Sequence, residues 1–421
     1  MLYRLFYIFC LLSSLEAFAE NWERTGNITF ETRQFENDGV NDTFENQRAL
    51  EVHYKGKGDF GENFFTLSFA GRYDDQDKNR NMLWAEDIYL QRQVSEKVSF
   101  IAGYKIFNYS YMEAFHPLDV VNARITDVSL VNADKMGELV IGVDIDAWDG
   151  NLRFYLLPHP TQPILPGRDS RLNLKLDFHQ SVWIGQDGEE NDWSDHFLIS
   201  FERSFESFDL MFVTSKGMDR NRLLIGNENY TEFNGSVFPD SPDLFTPFYY
   251  ERFFSGLNSV FNFDGFQLKS SLAYSYYLAE DQIYTLKELQ NPSDYTVAAL
   301  GFEKQVGHNN GMDSTLIAEG QKIFVSKKDE PNLPLQNDLF LAWRLSFNDL
   351  NSKQITLSTM LDLSKSEHEG FSQFIYSQRF AETWKIELFF IDYYIPGDAN
   401  INGIGIFRDK EHVSMKFSRF F

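Results

Sequence analysis

Apolar and polar residues alternate with a period of two along most of this chain. Leu50, Val52 and Tyr54 alternate with Glu51, His53 and Lys55, and Leu139, Ile141, Val143, Ile145 and Ala147 with partners that include Asp144 and Asp146. The same alternation runs through Leu339 to Phe347 and through Ile355 to Leu363. Period two is the signature of strands with one apolar and one polar face. A soluble sandwich also alternates, but its strands average nearer five or six residues, and these runs reach about ten.

The connections sharpen the reading. Short turns are expected at 58–61, 95–97, 149–150, 205–207, 264–265, 307–311, 348–352 and 381–383. Longer polar loops fall between them, notably 74–81, 107–133, 158–193, 215–247, 279–292, 326–336 and 395–410. Regular alternation of short and long connections marks a membrane β-barrel with short periplasmic turns and long outer loops. The tally predicts an all-β fold, a transmembrane antiparallel β-barrel of about 18 strands (range about 16 to 20), with both termini periplasmic. A hairpin through Arg171 to Ile184, where Leu172, Leu174, Leu176 and Phe178 alternate, would raise the count to about twenty.

The first nineteen residues read as a processing signal. Arg4 is followed by an apolar run from Leu5 to Leu15 and by Ala17-Phe18-Ala19, the small-x-small pattern of a cleavage site before Glu20. That run is too short to cross a bilayer as a helix. The expected organisation is therefore a signal peptide at 1–19 and a single barrel domain at 20–421. Cys10 is the only cysteine and lies in the leader, so the mature chain has no disulfide and no thiol chemistry. The first alternating run begins near Asn27, which leaves no place for an energy-coupling plug domain and points to passive permeation.

Composition fits a barrel wall. Mean hydropathy is −0.37, yet aromatic residues make up 16% of the chain, with 42 Phe and 20 Tyr. A strand with alternate residues in lipid and in water reconciles the two values. The net charge of −24 argues against a nucleic-acid partner. It suits an outer surface bridged by divalent cations to lipopolysaccharide.

Two segments carry a family resemblance. Val413, Met415, Phe417 and the final Phe421 share one strand face. This resembles the C-terminal strand that the barrel-assembly machinery reads. Arg419 departs from the apolar face at a position where it can snorkel to headgroups. The second segment is Gly103-Tyr104-Lys105-Ile106-Phe107-Asn108-Tyr109-Ser110, then Glu113, then Pro117-Leu118-Asp119-Val120-Val121-Asn122-Ala123-Arg124. It resembles the hallmark of porin-like outer-membrane barrels related to alginate-export proteins: G-x-Q/K, then W-G, an acid, and L-D-V-x-N-P-R-D. Tyr109 stands for the Trp, Ser110 for the Gly, Ala123 for the Pro and Ile125 for the last Asp. The resemblance implies a barrel of about this size that passes organic or polysaccharide solutes.

Tyr109, Tyr111, Phe115 and Pro117 are too apolar for a solvated loop, so residues 107–133 are expected to fold into the barrel mouth as a constriction. That would set Tyr109, Glu113, Asp119, Asn122 and Arg124 at the pore, either fixing the loop or touching solute. Alternation points Lys105, Asp144, Asp146, Arg153, Arg344 and Arg379 into the lumen, and both charge signs are present. The loop at 158–193 is longer, but its proline-rich start and Asp187-Gly188-Glu189-Glu190 read as exposed. Asp75, Asp77, Asn79, Asn81 and Glu86 have calcium-loop spacing, but Arg80 stands where that loop needs glycine, so a solvated acidic loop is expected and no metal site. No G-x-S-x-G or H-E-x-x-H occurs, and the eight histidines form no i, i+4 pair. The chain is not expected to be an enzyme or to hold a cofactor. The expected function is an outer-membrane channel for small organic or saccharide solutes in a Gram-negative bacterium. The alternatives are the outer end of an export route fed by a periplasmic partner, and a structural or adhesive barrel.

Overall fold

A computed structural model describes residues 20–36, 44–128, 133–172, 193–220, 244–278, 293–325, 335–364, 369–396 and 403–421, with short pieces at 177–178, 183–184, 190–191, 224–226, 230–233 and 236–239. The leader at 1–19 lies outside them, as do Leu174, Leu176 and Asp187 to Glu189.

Eighteen strands form one closed sheet. They are β1 (Glu20–Phe35), β2 (Asn46–Phe60), β3 (Asn63–Asp74), β4 (Met82–Ser95), β5 (Val98–Lys105) and β6 (Glu138–Ala147). Next come β7 (Gly150–Leu157), β8 (His196–Ser204), β9 (Phe208–Met218), β10 (Glu251–Phe263), β11 (Phe266–Tyr277) and β12 (Tyr295–Gly307). The wall ends with β13 (Asp313–Val325), β14 (Asn337–Ser346), β15 (Gln354–Asp362), β16 (Glu369–Phe380), β17 (Trp384–Tyr394) and β18 (His412–Phe420). Each pairs antiparallel with the next, and β1 pairs with β18 from Asn27↔Phe420 to Phe35↔His412, which closes the barrel. Closure removes the exposed edges that an open sheet would leave.

All eight expected short turns lie at one end, together with both ends of the wall, and the longer connections lie at the other. The described pieces of 171–184 are not part of the wall, whose strands number eighteen among the described residues, not twenty. Asp177–Phe178 and Trp183–Ile184 instead pair beside Leu244–Phe248, in a small sheet separate from the wall.

The outer face is apolar: Leu50, Ile141, Leu156, Leu257, Leu300, Leu316 and Leu341 are all exposed there. Aromatic residues flank this band. Trp148 and the stacked pairs Phe205–Phe208 and Phe263–Phe266 lie near the short turns, and Tyr73, Tyr274, Tyr276 and Tyr394 near the long loops. Arg419 lies over the Trp384 ring at the short-turn rim, 5.4 Å from its centroid. This is the belt expected where a barrel meets headgroups.

Candidate functional site

Between β5 and β6 the described residues, 106–128 and 133–137, turn into the lumen and span it. Near the end of β5, Gly103 has a φ of 134°, and an added Cβ would sit 2.2 Å from the Ile88 carbonyl oxygen, so no side chain fits there. Asn122 staples the loop's base: its side-chain oxygen accepts from the Phe107 N–H at 2.8 Å, and its amide donates to the Met136 carbonyl at 2.8 Å. Tyr109 is 4% exposed, stacks on Phe107, donates to Ser200 of β8 at 3.4 Å, and its carbonyl accepts from Asn258 of β10 at 2.8 Å. Both residues hold the loop, and neither lines the two cavities described below.

The loop then reaches the opposite wall. Consecutive N–H groups of Glu113, Ala114 and Phe115 donate to the carboxylate of Glu319 on β13 at 2.7, 2.9 and 3.4 Å. The Glu113 side chain is exposed and pairs with Arg344 of β14 at 3.1 Å. Phe115 and Met112 pack against Ile317, Phe340, Met360, Phe371 and Ile391 of β13 to β17, while Leu118 and Val120 join an apolar cluster with Val213, Phe254 and Ala273. The lumen thus contains a packed apolar core of the kind found between layers in soluble proteins.

The returning arm lies along β1 to β4. Ala123, Ile125 and Met136 pack on Ala70 and Trp84. Asp127 is gripped by two guanidinium forks, Arg33 of β1 at 2.7 Å to each oxygen and Arg80 at 3.1 and 3.2 Å. Burial pushes the Asp127 carboxyl up, and the two arginines outweigh it and hold it well below the usual carboxylate range. Tyr393 of β17 closes this edge by donating to the Val128 carbonyl at 2.7 Å.

Two cavities lie on either side of the loop. The one toward the short-turn end holds about 640 Å³ and is lined by Glu51, His53, Glu86, Asp87, Lys385 and Lys416, with Asn108 of the loop. The one toward the long loops holds about 410 Å³ and is lined by Phe115, His116, Arg124, Arg220, Phe254 and Tyr295 among others. A row of polar contacts joins them. Arg124 donates to Asp119 at 2.8 Å, Lys135 contacts the same Asp119 oxygen at 2.5 Å, and Lys135 donates to the Asn108 side chain at 2.7 Å. Burial holds both Lys135 and His116 below their ordinary ranges, partly offset by Asp119. The other Asp119 oxygen is buried without a hydrogen bond.

The six wall positions all face inward. Lys105 sits over the Tyr89 ring at 4.6 Å, Asp144 accepts from Tyr155 at 2.5 Å, and Arg153 pairs with Glu202 at 3.3 Å. Arg344 meets the loop, Arg379 lies 5.2 Å over Phe420, and Asp146 is exposed near the short turns.

Sequence reasoning missed Glu319, Arg33, Arg80, Asp127 and Lys135, whose roles come from partners far away in the chain. Two expectations also fail. The acidic stretch at 75–81 is solvated only in part: Asp75, Lys78 and Asn81 are exposed, but Asp77 is 2% exposed, caps the turn Lys78–Arg80 and accepts from the Gly167 N–H, while Arg80 is 4% exposed on Asp127. The start of the second long loop is not exposed either. Pro160, Gln162, Leu165 and Arg171 are buried, Thr161 donates its N–H to Glu138, and Ile164 bridges to Ile125, so this segment packs on the returning arm. Prolines need no partner for a missing N–H, which lets such a segment be buried cheaply.

No family model matches the sequence, and no curated protein is similar to it. The fold, however, superposes on solved structures along almost the whole chain. A BenF-like porin from Pseudomonas fluorescens Pf-5 matches at TM-score 0.54 and 8% identity, covering 96% of this chain and 99% of that one. OccK11 (OpdR) of Pseudomonas aeruginosa matches at 0.53 and OccAB1 of Acinetobacter baumannii at 0.52, both at 8% identity and covering 96% of this chain and 97% of the other. At these identities the likeness is one of fold. The molecule is a closed 18-stranded barrel of the outer-membrane porin type.

Proposed function

We propose that this protein is a channel in the outer membrane of a Gram-negative bacterium, through which small organic or saccharide solutes permeate passively. In this reading residues 107–133 form the constriction, and the leader at 1–19 is removed on export. The observation that carries it is the loop itself, anchored on both sides of the lumen with a cavity on either side, lined by charged groups toward the short turns and by mixed apolar and polar groups toward the long loops. Arg124, Asp119, Lys135 and Asn108 are the groups a solute meets between the cavities. Glu113 acts at the loop's far edge, and Tyr109 and Asn122 act by holding the loop.

The resemblance of residues 103–124 to alginate-export-related barrels favours an organic or saccharide solute over an inorganic ion. The barrel-assembly machinery would read β18, and lipopolysaccharide would surround the long-loop end.

Reconstitution in planar bilayers tests this reading. The purified barrel should give discrete conductance steps, with current reduced by a solute that occupies the constriction. Protein that inserts, is heat-modifiable, and passes no current would contradict it and leave a structural or adhesive barrel as the reading.

A further inference from the structure

The two arms of the inward loop are zipped together inside the lumen. Ile125 donates its N–H to the Asp134 carbonyl at 2.9 Å, Met136 donates to the Ala123 carbonyl at 2.9 Å, and Arg124 faces Lys135 as the antiparallel bridge between them. Each arm is also tied to the wall. Asp127, two residues past Ile125, is held by Arg33 of β1, and Gly137 donates its N–H to Ala85 of β4 at 2.8 Å. The main chain around Arg124 and Lys135 is therefore fixed, and what can move there is side chain.

Lys135 stands between the two cavities. Its ammonium has three N–H donors and three acceptors around it: the Phe107 carbonyl at 3.0 Å, the Asn108 side-chain oxygen at 2.7 Å and Asp119 at 2.5 Å. Asn108 lines the cavity toward the short turns, whereas Asp119 is paired with Arg124, which lines the cavity toward the long loops. Lys135 lines neither cavity, and it bonds to groups on both sides. The hold is of a kind that can be released. A lysine ammonium is a compact charge on a flexible four-carbon stem, without the planar fork that locks an arginine in place. Lys135 and Arg124 also compete for one oxygen of Asp119, while the other makes no hydrogen bond among the described residues.

We propose that Lys135 is the movable gate between the two cavities: its side chain bars the passage while bonded to Asn108 and Asp119, and opens it by swinging into the cavity toward the short turns. The inference rests on the channel function proposed above. That cavity is the one able to receive a free ammonium. It holds about 640 Å³, Asn108 is exposed to it, and Glu51, Glu86 and Asp87 line it with carboxylates. Asp87 already accepts the Ile106 N–H at 2.9 Å, two residues from Asn108, so a counter-charge stands beside the swing. The other side is less hospitable, because the Arg124 and Arg220 guanidiniums line it and repel a third cation. Opening by a side chain leaves the Asp127 clamp, the ladder and the apolar core of the loop intact.

Single-channel recording of the full mature barrel in planar bilayers, with a potassium chloride gradient across the membrane, tests this. Lys135→Met keeps the length of the side chain and loses its charge and donors. Because the narrowest point sets the current, its conductance should rise about two-fold, and its reversal potential should move toward cation preference. Lys135→Arg keeps charge and donors and should stay at the parent's conductance or below it. A spin label on Thr126→Cys should be as immobile in Lys135→Met as in the parent, since the main chain does not move. Unchanged conductance in an assembled Lys135→Met barrel would overturn the proposal. So would a rise accompanied by a mobile label, which would make Lys135 a residue that only holds the loop. A parent barrel that passes no current would overturn the gate and the channel function together.

Discussion

Leu118 is fully buried because Gly256 has no side chain: a Cβ at Gly256 would sit 2.6 Å from the Leu118 Cγ. The notch on β10 is thus a seat for the loop, and filling it must lift the loop or distort the wall. Overpacking of this kind costs about 1–3 kcal/mol. Gly256→Val should therefore give a barrel that still assembles but conducts with more frequent flicker; unchanged single-channel noise would show that Leu118 does not set the loop's position. Asp127 offers a second test. Its carboxyl lies well below its ordinary range, so the anchoring it contributes is complete above the unfolded value near pH 3.8 and is lost only as pH falls through the lower folded value. A spin label on Thr126→Cys, beside the clamp, should keep the same mobility from pH 8 down to about pH 4. Mobilisation within that window would contradict the clamp. Asp127→Asn leaves Arg33 and Arg80 buried against a neutral partner, and a broken buried pair costs about 3–5 kcal/mol. The same label should then be mobile at every pH.

Strands and turns were legible in the sequence because each is a local pattern. Period two marks the wall at Leu339 to Phe347, and pairs such as Asp264-Gly265 mark the turns, Gly265 supplying a φ of 81°. The inward fold of residues 107–128 was legible for a related reason, since Tyr109, Phe115 and Pro117 need burial that an exposed loop cannot provide. What holds the loop was not. Glu319 receives Glu113 to Phe115 across about two hundred residues of chain, and no periodicity encodes that pairing. Arg80 and Asp77 read as solvent-facing because charged residues in a polar stretch usually are, yet each is buried by a partner from another loop. The proline-rich segment from Pro158 misled similarly. If Glu319 is the far anchor, Glu319→Ala should free the loop's apex, raising the mobility of a label on Glu113→Cys while leaving heat-modifiable migration intact. A label as immobile as in the parent would show that the apolar contacts of Phe115 suffice.

At the scale of the whole molecule, β1 and β18 close a wall whose outer side is apolar and whose inner side carries both charge signs. An empty barrel of eighteen strands would be a wide aqueous hole. Here an apolar core built on one loop fills its middle, and a polar row joins the two cavities that remain. The central claim is that this loop limits passage, and single-channel conductance in planar bilayers, compared between the parent barrel and one lacking Glu113 to Asn122, tests it most directly. The deletion should raise conductance and weaken discrimination among solutes while the barrel still assembles. An assembled deletion barrel with the parent's conductance would contradict the account and move the constriction to the segment that begins at Pro158.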